Sequence, residues 1–144
     1  GSDTRDMTPV QQEFARALHS WVFHGFPELN DTCGVGIGIP VTWVVKTPSF
    51  RSKPVETAKD VWLNTDGTIY EDGAIMRTAV IGLFPLSKAD ALIYSTAICQ
   101  TTHYDPRCVG ACAFIVSCIY DLVRSAGEPD IDDILKVAER YEQG

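Results

Sequence analysis

Basic charge is scarce in this sequence: 12 Lys and Arg stand against 19 Asp and Glu, a formal net charge of −7. A nucleic-acid backbone needs a cationic face that releases its counterions, so nucleic acid is not an expected partner. A small anion held by a few local groups stays compatible with that balance. Long apolar runs are also missing. None is expected to reach the roughly 18 residues of a bilayer span, so no membrane partner is expected. Internal repeats, low-complexity tracts and linkers are absent as well, and residues 1–144 read as a single domain. With 45% hydrophobic residues, such a chain can bury roughly two thirds of its unfolded surface.

Paired cysteines are a further absence. Cys108, Cys112 and Cys118 lie in one apolar stretch, Cys99 in another and Cys33 among glycines. An odd count of this kind reads as reduced, buried thiols, and hence as an intracellular, cytoplasmic protein. Cys108 and Cys112 are one helical turn apart, but no second Cys or His pair stands at zinc-ligand spacing, so no metal ligands are assigned. No signal-peptide pattern opens the chain, and Gly1-Ser2 reads as an expression remnant.

Strand signals are weak throughout, whereas helix signals are strong. Thr8-Pro9-Val10-Gln11 offers a capping start, Val10, Phe14, Ala17, Leu18 and Trp21 follow at helical spacing, and Gly25 is a natural stop. Pro40 to Lys46 fits a short strand or a helix opening at Pro40. Ser52-Lys53-Pro54 starts a helix with Val55, Ala58, Val61 and Trp62 on one face. From Gly73 the chain is apolar all round, which predicts a central buried helix. Ser87-Lys88-Ala89-Asp90 caps another. Asp105 and Pro106 suit the N-cap and first residue of a long helix ending near Gly127, whose Gly110, Ala111, Cys112 and Ala113 permit close helix approach. Pro129 and Asp130 open a last amphipathic helix. The chain is read as all-α.

Three polar loops carry the chemistry. Gly34-Val35-Gly36-Ile37-Gly38 hints at a phosphate cradle, but the preceding strand, the third glycine and the later acid of a dinucleotide fold do not fit. A tight turn against a neighbouring helix is the reading preferred. The second loop runs from Gly67 to Arg77 and enters the apolar helix, where free amides favour an anion. Arg77 lies one turn inside and must be paired, either by Asp72 or Glu71 or by a ligand phosphate. In the third loop, Thr101 to Arg107, His103 and Arg107 stand near a helix start. His103 is either a linker histidine bonded to a backbone carbonyl or an anion ligand.

Together these loops resemble one family. Phe14-Ala15-Arg16-Ala17-Leu18, Trp21 and Gly25-Phe26-Pro27-Glu28-Leu29, the glycine run, Tyr70 to Arg77 (similar to Asn-Gly-Ala-x-Met-Arg) and Thr102-His103 with Asp105-Pro106 (similar to Thr-His-x-Asp-Pro) resemble the middle of an ADP-ribosylglycohydrolase. The likeness extends from about residue 12 to about residue 125. It implies a single orthogonal helical domain lacking the family's flanking helices. It also implies magnesium-dependent hydrolysis of ADP-ribose from a modified target. By the resemblance, Gly67, Thr68, Tyr70, Asp72, Gly73 and His103 contact ADP-ribose, while Arg77 is favoured as a structural pairing.

Two departures stand beside these matches. The acidic Asp-Asp-Thr and Asp-x-Asp-Thr motifs that bind magnesium in the family are not in this chain; Ser2-Asp3-Thr4 and Asp130-Ile131-Asp132-Asp133 are only echoes. Asp72 stands where the family usually has Asn, placing negative charge beside a presumed diphosphate. The expected functions are therefore an enzyme completed by metal-binding segments elsewhere, or a non-catalytic module that binds ADP-ribose or an ADP-ribosylated protein. A third is a remodelled helical domain whose exposed apolar face joins a second copy or a complementing subunit.

Overall fold

The computed structural model describes residues 5–68, 71–124 and 128–143. Seven α-helices occur among them: α1 Thr8–His24, α2 Ile39–Lys46, α3 Pro54–Asn64, α4 Gly73–Thr78, α5 Lys88–Gln100, α6 Pro106–Arg124 and α7 Ile131–Gln143. Two short 3-10 helices, Pro27–Leu29 and Ala79–Leu83, complete the set, and no strand occurs among the described residues. The all-α reading holds.

Local sequence explains most of the boundaries. Gly25 ends α1 at φ 64°, and a Cβ there would stand 2.4 Å from the Asp31 Cβ, so only glycine fits. The start of α1 differs from expectation. Thr8 is already helical, and the Asp6 carboxylate accepts from its backbone N–H at 3.0 Å. Pro40 to Lys46 resolves as helix because Val41, Val44 and Val45 share one face and bury it against α1 and α3. Ser87 caps α5 by accepting from the Asp90 N–H and donating to its carboxylate. Asp130 accepts from the N–H groups of Asp132 and Asp133 at the start of α7. The expected stop of α6 at Gly127 lies outside the described residues; the helix is described to Arg124.

The segment from Gly73 departs most from its pattern. The expected long buried helix is instead the six-residue α4 followed by the 3-10 helix. Tertiary contacts set the break. A Cβ on Gly82 would meet the Ile119 Cβ and the Val116 carbonyl oxygen at 2.9 Å, so the chain tightens to touch α6. Arg124 then binds the Gly82 and Phe84 carbonyls that the turn leaves open. The segment is also not buried all round: Met76 is 71% exposed, and Val80, Leu83 and Phe84 are about half exposed.

Packing centres on α6, which touches α4, α5, α7 and the second 3-10 helix. Its small residues work as expected, since a Cβ on Gly110 would stand 3.2 Å from the Ala138 carbonyl of α7. One expectation fails here. At 19 residues and mean hydropathy 1.5, α6 does reach the length and composition of a membrane span, but here it is the core helix against which its neighbours pack.

Candidate functional site

Convergence of the polar loops decides whether a site exists. Gly34 packs on the α1 backbone, as a Cβ there would stand 3.1 Å from the Trp21 carbonyl oxygen and the Val22 Cα. The glycine run is therefore a tight turn on a helix. Its last member, Gly38, faces the second loop: a Cβ on it would lie 2.9 Å from Glu71 Oε2. Gly73 in turn faces the third loop and α2. A Cβ there would meet the His103 imidazole at 3.5 and 3.7 Å and Val41 at 3.9 Å. The ends of all three loops thus meet around Gly73.

His103 is the centre of this junction and is wholly buried. Its Nδ1 lies 3.1 Å from Arg77 Nη2 and 2.9 Å from the Thr102 hydroxyl. Arg77 also donates to Thr102 Oγ1. A guanidinium can only donate, so Nδ1 is the acceptor and the ring proton sits on Nε2. That Nε2–H is buried without a partner, as is Nε of Arg77. Burial, reinforced by the Arg77 charge and opposed by Asp72, pushes the imidazole pKa down to about 4. At neutral pH His103 is an uncharged donor with no acceptor among the described residues.

Arg77 departs from one expectation. Its partners are Thr102 and His103, and no carboxylate pairs with it among the described residues; neither Asp72 nor Glu71 does so. Burial lowers its pKa, while the nearby thiols Cys99, Cys112 and Cys108 oppose the shift. Cys99 and Cys112 are fully buried and unbridged, and their mutual hydrogen bond together with burial keeps the Cys99 thiol protonated.

The other predicted positions spread around this centre. Asp72 is exposed at the N-cap of α4, with no side-chain cap bond. The six residues of α4 form too short a helix for the expected anion site at its start. Gly67, at φ 66°, lies against the Trp62 ring, and its carbonyl accepts from Arg107 Nη2 at 3.2 Å. Thr68 donates to the Thr65 carbonyl at 2.7 Å. Tyr70 lies outside the described residues. Gly73, Asp72 and His103 therefore form one group, and Gly67 with Thr68 another.

The second group is organised by Asp105, expected as the N-cap of α6, by Arg107, expected near that helix start, and by Trp62, expected on one face of α3 but not as a partner of Asp105. Asp105 caps α6 through the Arg107 N–H at 2.8 Å and pairs with its guanidinium at 2.7 Å. Its second oxygen accepts from the Trp62 indole at 3.1 Å. The Arg107 hydrogen bonds hold the Asp105 carboxyl below the usual range despite its burial. A tryptophan near the C-terminus of an amphipathic helix carries a polar tip that needs a partner, which was the available signal for Trp62.

Among the described residues no three His, Cys, Asp or Glu side chains converge on a cation position. The expected magnesium therefore finds no fitting ligand set among these residues. A family model described as ADP-ribosylglycohydrolase matches residues 3–144. No curated protein and no solved structure matches the chain.

Proposed function

The chain belongs to the ADP-ribosylglycohydrolase family, and on that premise we propose that it carries the ADP-ribose-recognising junction of such a protein. The observation that carries this reading is the unpartnered Nε2–H of the buried, neutral His103 behind a residue without a side chain, Gly73. A buried donor without a partner costs about 1–3 kcal/mol, and a ligand oxygen arriving past Gly73 recovers that loss. Gly67, whose carbonyl accepts from Arg107, and Thr68, which donates to the Thr65 carbonyl, lie in the loop that leads to this junction, and by the family resemblance Tyr70 would contact the same ligand. Asp72 opposes a diphosphate by charge. Hydrolysis of an ADP-ribosylated target would in addition need a converging acidic ligand set for magnesium, which the described residues do not supply.

A second reading, favoured by the exposed Met76, Val80, Leu83 and Phe84, is a non-catalytic relative whose apolar face joins a second copy or a complementing subunit. Calorimetric titration with ADP-ribose tests the first. The Gly73→Ala variant is the sharpest probe: its methyl covers the imidazole edge at ordinary contact distance, and its backbone tolerates alanine. Binding should fall about tenfold with no loss of melting temperature, and His103→Ala should reduce it similarly. Asp72→Asn should tighten it. Equal binding by Gly73→Ala and wild type would remove His103 from the site.

A further inference from the structure

A groove outside this junction has a chemistry of its own. It lies between α1, the Ala79–Leu83 turn and α5, encloses about 630 Å³ and is walled by apolar side chains including Val10, Phe14, Val80, Phe84, Leu86 and Ile98. That volume falls within the usual range for small-molecule sites. Two charged residues line it, Glu13 and Arg77. Glu13 is committed to Arg16 at 2.7 Å. Arg77 is not neutralised by any carboxylate among the described residues. Its Nη2 holds Thr102 and His103, and among the described residues its Nε is buried without a partner and its Nη1 makes no hydrogen bond. The guanidinium also stands over the Phe14 ring, 5.9 Å from its centroid.

We propose that this groove binds a small amphiphilic monocarboxylate, with its apolar body along the groove and its carboxylate on Arg77. Charge complementarity selects the class. An apolar wall holding one largely dehydrated cation without a counter-ion offers a single place for a single negative charge. A carboxylate is less costly to dehydrate than a phosphate dianion, and it presents the flat pair of oxygens that a guanidinium matches. A neutral amphiphile fills the same walls but leaves the cation uncompensated, and a cationic one adds repulsion. The proposal uses neither Gly73 nor the ADP-ribose reading, so either can fail alone.

The test is isothermal titration of the full chain with decanoate, 1-decanol and decylamine below their aggregation limits. Decanoate should bind once per chain, with 1-decanol about tenfold weaker and decylamine weaker still. Arg77→Met should bring decanoate down to the level of 1-decanol. Arg77→Met also disturbs His103, so Val80→Glu serves as a second variant. It places a carboxylate at a half-exposed position of the groove, leaves the Arg77–His103 pairing alone, and should abolish decanoate binding. Equal affinity for decanoate and decanol would overturn the proposal, as would several molecules bound per chain. A dimer that buries the groove and is indifferent to decanoate would overturn it too.

Discussion

Two halves of one turn, between α5 and α6, solve the problem of buried charge in opposite ways. At residues 105–107, Asp105 meets a helix N-terminus, a guanidinium and an indole N–H, and its oxygens are saturated. At residues 101–103, His103 and Thr102 meet the Arg77 guanidinium; among the described residues no carboxylate balances it, and two buried N–H groups are left over. The first arrangement is complete without any ligand, so its role is to hold α3, the Gly67 turn and α6 together. The second is incomplete, and it is the half that a ligand can improve. Burial alone does not separate architecture from recognition; leftover hydrogen-bonding capacity does.

The contrast breaks first at Asp105. Asp105→Ala should cost about 3 kcal/mol in urea unfolding, mostly from the lost cap and the orphaned Trp62 indole, because the half-exposed Arg107 pair is screened by solvent. A loss below about 1 kcal/mol would show that the saturated half is not the structural one.

Acid should act on the other half with nearly equal size. The folded pKa of His103 is pushed down to about 4 from an ordinary 6.5, so the unfolded chain binds the extra proton between those values. The stability due to neutral burial is then complete above pH 6.5 and is lost as pH falls toward 4, by about 3 kcal/mol. His103→Gln should flatten that slope; an unchanged slope would place the titration elsewhere.

Arg77→Met should cost no more than about 1 kcal/mol, since removing an unneutralised buried cation offsets the hydrogen bonds lost with it. A cost comparable to that of Asp105→Ala would erase the distinction. The smallest effect is spectroscopic. Imidazole ¹⁵N shifts of His103 should show the proton on Nε2 in the wild type, and a mixture of tautomers once Arg77 is Met.

The sequence carried the helices better than it carried this contrast. Capping is local, so Ser87 with Asp90 and Asp105 with Pro106 could be read directly. The α2 segment was ambiguous only until Val41, Val44 and Val45 are placed on one face. The 73–83 segment was misread because composition reports apolarity but not the approach of Gly82 to α6 or the grip of Arg124 on its carbonyls. At the site, His103 was legible as a polar residue between apolar helices. Its Arg77 partner was not, because the two are 26 positions apart and meet only through the packing of α4 on α5 and α6.

The bond from Trp62 to Asp105 also has an optical consequence. An indole whose N–H is tied to a carboxylate, with the Tyr104 ring 6.0 Å away, sits in an electric field that vanishes when the α6 cap is released. Its emission colour therefore registers the opening of that one corner, and in a chain with Trp21 and Trp43 replaced by Phe it makes the fold its own gauge of local melting.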